Sequence, residues 1–150
     1  MDFERITKEN RNGVLNLQLL PEQTGFIESV TECLDEADHL DRWKPYGILV
    51  NGTLVGFTMY GCIKEKKWGE RVWLDRLLID RSYQGKGYGK KAVSLLSHKL
   101  FEEYPVKQIY LSVYDNNIPA IHLYESCGFH FNGEIDTKGE KIMVLKKEDL

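Results

Sequence analysis

Apolar residues recur along this chain with two different spacings, and the changes between them divide it into elements. Residues 3–6 (Phe3, Glu4, Arg5, Ile6) predict a short strand, and residues 10–20 have the polarity of a helix stopped by Pro21. Phe26, Ile27, Val30, Cys33, Leu34 and Ala37 then fall at spacings of three and four, one apolar stripe on a helix whose acids face away. Two β-rich runs, 48–50 and 53–60, flank the pair Asn51-Gly52, a strong short-range hairpin signal. Residues 71–80 are rich in Val, Trp, Leu and Ile and predict a third core strand. Ala92, Val93, Leu95, Leu96, Leu100 and Phe101 return to helical spacing until Pro105. Residues 107–114 predict another strand. Asn116, Asn117 and Pro119 open a short helix that Gly128 closes, and strands at 129–135 and 141–145 end the series.

The predicted order is β, α, α, β, β, β, α, β, α, β, β: an α/β (α+β) mixed sheet of about seven strands with about four helices on its faces. The unit from residue 71 to 114 predicts a parallel, right-handed β-α-β crossover, and ligands in such folds gather beyond the carboxyl ends of the parallel strands. A length of 150 residues fits a single domain over 1–150 with one substantial core.

Charge changes this picture more than composition does. The net charge of −3 conceals two opposed segments. Residues 22–41 hold seven acids (Glu22, Glu28, Glu32, Asp35, Glu36, Asp38, Asp41) and no Lys or Arg, whereas residues 81–99 hold five bases (Arg81, Lys86, Lys90, Lys91, Lys99) and no acid. Cys33, Cys62 and Cys127 are odd in number and widely spaced, with no CxxC pair and no His in ligand register, which favours a reducing compartment and no structural metal. The start, Met1-Asp2-Phe3-Glu4-Arg5, lacks the pattern of a signal peptide, so a cytoplasmic location is expected. Residues 45–63 carry no charge for 19 positions, close to a membrane span, but Pro45, Gly47, Gly52, Gly56 and Gly61 interrupt them, and they read as strands.

The chemistry concentrates in Gln84-Gly85-Lys86-Gly87-Tyr88-Gly89-Lys90-Lys91, which lies between a predicted strand and a predicted helix. Amides freed at a helix start, backed by the helix dipole, form a seat for phosphate oxygens, and glycine lets those oxygens approach. The spacing excludes the Walker loop, which needs Gly-Lys-Ser/Thr, and the dinucleotide fingerprint, because this is G-x-G-x-G and not G-x-G-x-x-G.

The pattern Gln-x-x-Gly-x-Gly after Trp73-Leu74-Asp75-Arg76-Leu77-Leu78-Ile79-Asp80 resembles the acetyl-CoA loop of the GNAT superfamily of N-acyltransferases. Leu111-Ser112-Val113, Asn117 with Ala120 and Ile121, and Leu123-Tyr124-Glu125-Ser126-Cys127-Gly128-Phe129 extend the resemblance over nearly the whole chain. It implies that the backbone of Leu77, Leu78 and Ile79 pairs with the pantetheine arm of acetyl-CoA. It implies also that Gln84, Gly85, Lys86, Gly87, Tyr88, Gly89 and Lys90 form the pyrophosphate loop, and that Asn117 and Ala120 meet the pantetheine arm. Tyr124 corresponds to the tyrosine that protonates the CoA sulfur, and an amide at Leu78 to the group that stabilises the oxyanion. As residues alone, Leu77, Leu78 and Ile79 equally suit core packing, Asn117 a helix cap, and Tyr124 an aromatic packed with Ile121 and Cys127.

No Ser-His-Asp or Cys-His arrangement is evident in the sequence, which fits direct attack by an amine in a ternary complex. An amine with a pKa near 10.4 arrives as a cation, and the acidic segment suits attraction of a polycation. Together with Asn132-Gly133-Glu134-Ile135-Asp136, Gly139-Glu140 and the loop, this segment resembles the bacterial spermine/spermidine acetyltransferase branch. That resemblance implies Glu28, Asp75 and Asp136 as contacts of a polyamine or diamine. Neither nucleic acid nor membrane is needed to explain the lysines, no metal is expected, and the superfamily resemblance points to the closing strands for a homodimer contact. Acetylation of a protein N-terminus or lysine, and a CoA- or polyamine-binding module without turnover, remain alternatives at this point. Trp43 and Trp68 suit packing or an acceptor wall, and the scattered His39, His98, His122 and His130 have no spaced partner.

Overall fold

The computed structural model describes residues 1–23 and 29–150. Its strands are β1 (Asp2–Arg5), β2 (Trp43–Val50), β3 (Thr53–Glu65), β4 (Gly69–Ile79), β5 (Gln108–Val113), β6 (His130–Ile135) and β7 (Lys141–Lys146). The helices are α1 (Arg11–Leu15), α2 (Val30–His39), α3 (Tyr88–Glu103) and α4 (Ile118–Ser126). Strand order is β1-β2-β3-β4-β5-β7-β6, a mixed sheet in which β4 and β5 run parallel through Trp73 and Tyr110 while β5, β7 and β6 are antiparallel. The chain forms two compact units, Met1–Gly61 with Asp75–Gly89, and Cys62–Leu74 with Lys90–Leu150.

In the first unit the hairpin forms as expected. Asn51 and Gly52 take φ of 51° and 79°, the pair of positive values that a two-residue primed turn needs, and Val50 pairs with Thr53. The strands around it are longer than the sequence suggested. β2 begins at Trp43 despite Pro45 and Gly47, because β1 covers it: the Pro45 carbonyl accepts from the Ile6 amide at 3.0 Å, and Arg5 pairs with Tyr46. β3 continues past Tyr60 because Gly61 lies against the Arg42 carbonyl, where a Cβ would sit 2.3 Å from the oxygen. Ile48, Val55, Phe57, Met59 and Tyr60 form the core of this unit, all essentially unexposed.

The expected helix over 10–20 is not formed as such; five residues, Arg11–Leu15, are helical and a 3₁₀ turn follows at Pro21–Gln23. The backbone between them is claimed from outside. The Gln18 amide donates to the Asp80 carboxylate at 2.7 Å, and the Gln18 carbonyl accepts from the Arg81 amide at 2.7 Å. α2 starts at Val30 with Ser29 as its cap, the Ser29 hydroxyl accepting from the Glu32 amide and donating to the Glu32 carboxylate. Val30, Cys33 and Leu34 are buried, while Phe26, Ile27 and Glu28 lie outside the described residues.

In the second unit Ala92, Val93, Leu96, Leu100 and Phe101 form the buried stripe of α3, and Leu95 faces solvent. Ile109, Leu111, Met143 and Leu145 fill the sheet beneath. β6 has a bulge: Phe131 pairs with Met143 but Ile135 with Lys141, so β6 holds two more residues than β7 over that span. Gly133 takes φ of 88° there, and Glu134 turns inward to buried Arg71, bonded at 2.8 and 3.4 Å. Arg71 also lies 3.9 Å from the Tyr110 ring centroid. Among the described residues no helix is long and apolar enough to cross a membrane.

Candidate active site

The loop of the first unit is built from bonds that hold backbone in place. As β4 ends, the Asp80 amide donates to the Val55 carbonyl at 2.8 Å, and the Asp80 carboxylate accepts from Ser82 at 3.0 Å to cap the 3₁₀ turn Arg81–Tyr83. Burial works against that carboxylate, but the bonds from the Gln18 and Ser82 amides win and hold Asp80 below the ordinary range. The Gln84 side chain turns back to the Ile79 carbonyl at 2.9 Å and to Gln23. Gly85 and Gly87 then take φ of 79° and 81°, a conformation that L side chains rarely adopt, and the chain enters α3 at Tyr88. The first turn of α3 holds no acid that would occupy its unpaired amides. Lys86 and Lys90 are exposed, and the Lys86 ammonium lies 5.8 Å from the Tyr83 ring centroid.

β4 itself is held closely. Leu78 is buried, and its side chain packs in the core. A Cβ at Gly56 would lie 2.4 Å from the Leu78 carbonyl oxygen, and the buried Thr58 hydroxyl donates to the Arg76 carbonyl at 2.7 Å. Asp75 meets its neighbour Arg76 at 2.8 Å.

In the second unit, Asn117 is the N-cap residue of α4, its carbonyl accepting from the Ile121 amide at 3.1 Å, but its side chain makes no capping bond. The exit of α4 fixes Tyr124. Gly128 takes φ of 98° and donates to the Glu125 carbonyl, and Phe129 donates to the Tyr124 carbonyl, the two bonds of a left-handed helix end. The hydrophobic contact of that motif is the Tyr124 ring set edge-on to Phe129, centroids 6.1 Å apart. Burial, with the negative fields of Cys127 and Glu140, pushes the Tyr124 phenol up to about 12. Glu140 is held by the Ser112 hydroxyl at 2.6 Å. Asp136 uses one oxygen for the β6 to β7 turn, accepting from the Lys138 and Glu140 amides at 2.9 Å each.

Trp43 is buried in the core and Trp68 is 52% exposed. Trp68, Arg71 and Tyr110 line a cavity of about 330 Å³ at the amino ends of β4 and β5. Among the described residues no group of three His, Cys, Asp or Glu side chains is placed to hold a metal.

The model of the acetyltransferase (GNAT) family matches residues 13–129. The chain belongs to the GNAT acetyltransferase family. Over 147 residues this GNAT chain is 47% identical to the spermine/spermidine N(1)-acetyltransferase of Bacillus subtilis strain 168, covering 96% of the chain and 97% of that protein. The same figures hold for the probable spermine N(1)-acetyltransferase of Bacillus subtilis subsp. natto strain BEST195. Among solved structures it resembles an aminoglycoside acetyltransferase in complex with coenzyme A, with 21% identity, a TM-score of 0.80, and coverage of 98% of this chain and 95% of the other. It also resembles the spermidine N-acetyltransferase from Vibrio cholerae in complex with CoA and spermine, with 18% identity, a TM-score of 0.73, and coverage of 99% and 96%. Both likenesses concern the fold.

Gly56, Thr58 and Asp80 support the site without having been assigned a role in it from sequence. A glycine inside the strand run 53–60 signals close backbone approach, so Gly56 was findable. The bonds of Thr58 and Asp80 reach across 18 and 62 positions, and no local pattern announces them.

Proposed function

We propose that this GNAT chain, acting as one catalytic domain over residues 1–150, transfers the acetyl group of acetyl-CoA to a primary amine of spermidine, spermine or a small diamine. The observation that carries this reading is the loop in which Gly85 and Gly87, at positive φ, lead into an α3 start with no acid in its first turn. The acceptor class is supported by the near full-length likeness to the Bacillus subtilis relatives.

In this reading the amides from Gly85 to Lys90 take the pyrophosphate, with Lys86 and Lys90 adding charge. The peptides of Leu77, Leu78 and Ile79 pair with the pantetheine arm, which Asn117 and Ala120 meet from α4. Bound acetyl-CoA supplies the activated acyl carbon. The Leu78 amide donates to the acyl oxygen as charge develops there. Tyr124, with its phenol at about 12, stays protonated throughout the physiological range. Tyr124 is the acid that donates its proton to the departing CoA sulfur. Glu28, Asp75 and Asp136 receive the cationic acceptor, and Asp75 takes the amine proton through water. A cytosolic location suits three cysteines that form no disulfide, and exposed Phe131 and Ile135 on β6 suit a homodimer contact.

Incubating the protein with acetyl-CoA and spermidine, then identifying the product by mass spectrometry, tests the reading. Monoacetylated spermidine is expected; unchanged spermidine beside consumed acetyl-CoA would contradict the acceptor assignment.

A further inference from the structure

Gln84 lies in the loop motif, and its side chain is fully engaged inside the first unit. Its Nε2 donates to the Ile79 carbonyl at 2.9 Å and to Gln23 Oε1 at 2.8 Å, and its Oε1 accepts from Gln23 Nε2 at 3.1 Å. The two amides thus form a closed, reciprocal pair across 61 positions of sequence. Gln23 is itself fixed, because its Oε1 also accepts the Leu20 amide at 3.2 Å and its backbone amide donates to the Leu20 carbonyl at 2.9 Å. The 3₁₀ turn Pro21–Gln23 therefore presents a primary amide in one orientation.

An amide has two donor hydrogens, and Gln84 gives one to the Ile79 carbonyl and the other to Gln23. Gln23 supplies that second acceptor, and its own N–H fixes Gln84 Oε1, so the Gln84 side chain cannot flip. The Ile79 carbonyl is the last of β4, and Gly85, the next residue after Gln84, begins the left-handed part of the loop. We propose that Gln23 is a positioning residue for the cofactor loop: by closing the amide pair it holds Gln84 on the Ile79 carbonyl, and so fixes the end of β4 relative to Gly85 and Gly87. It acts through Gln84 and touches no reacting atom. The inference rests on the assignment of this loop to acetyl-CoA.

Calorimetric titration of the full chain with CoA, alongside steady-state kinetics, provides the test. Gln23→Leu opens the pair and is expected to weaken CoA binding about 5-fold, with the KM for spermidine unchanged. Gln23→Glu keeps the oxygen that accepts from Gln84 Nε2 and from the Leu20 amide but replaces the donor to Gln84 Oε1 with a second acceptor, and is expected to lose CoA affinity as Gln23→Leu does. In a Gln84→Leu background Gln23→Leu should add nothing, since both break one unit. Should Gln23→Leu not fold, Gln23→Asn, the same amide one methylene short, is expected to show the same loss. Wild-type CoA affinity in Gln23→Leu, or losses from Gln23→Leu and Gln84→Leu that add in full, would overturn the proposal. Gly87→Val separates the two levels of inference. If it abolishes CoA binding while Gln23→Leu has no effect, the positioning role alone fails; if it too binds CoA normally, the loop assignment fails and the role of Gln23 with it.

Discussion

The proposed cofactor loop and the proposed acceptor carboxylates use charge in opposite ways. From Asp80 to Tyr88 the side chains of Asp80 and Gln84 are turned onto backbone, while Lys86, Gly85 and Gly87 are exposed, so the loop's own peptides and ammonium are presented outward. Asp75 and Asp136, two of the carboxylates assigned to the amine, are engaged already. Asp75 meets Arg76 at 2.8 Å, Asp136 caps a turn, and Asp38 on the acidic helix forms a two-point pair with Arg11 at 3.0 and 3.1 Å. A run of seven acids without a base therefore overstates the attraction at the surface, because Arg11 comes from another element. Bond formation to backbone leaves a phosphate seat intact, whereas an ion pair must be exchanged before a carboxylate can take an ammonium.

The sharpest way to break this contrast is at Tyr124, where the chemistry depends on one hydroxyl. Tyr124→Phe keeps the ring against Phe129 and is expected to lower kcat about 100-fold or more, with CoA affinity unchanged, as single-turnover rates and calorimetry would show. Gly87→Val forces a β-branched residue to φ of 81° and is expected to weaken CoA about 10-fold or more, with the KM for the amine unaffected. Asp136→Asn retains an oxygen for the Lys138 and Glu140 amides but removes the charge. It should raise the KM for spermidine about 5-fold, whereas Asp38→Asn, whose charge Arg11 already neutralises, should change it less than twofold. The smallest effect is on stability. The folded state holds the Asp80 carboxyl below its ordinary value, so its contribution is present above about pH 4 and fades as pH falls through the lowered value. Asp80→Asn should cost about 1 kcal/mol at pH 7 and less at pH 3, measured by thermal unfolding at both.

What was legible in the sequence follows the same division. Backbone-determined features were readable, since Asn51-Gly52, Gly85, Gly87 and Gly128 all stand at positive φ where turn chemistry places them. The α4 exit even fixed the Tyr124 ring through Phe129. What failed depended on partners distant in sequence. The helix over 10–20 gave way to bonds with Asp80 and Arg81; the strand at 129–135 did form as β6, and only its bulge, where Glu134 turns to Arg71, went unread. The partners of Gln84 and Asp38 were invisible for the same reason.

The most direct measurement is release of free thiol from acetyl-CoA with spermidine, with spermine, with a lysine peptide and with no acceptor. The account predicts rapid release with both polyamines and only background release with the peptide or alone. Background release in all four, from protein that binds CoA, would contradict it.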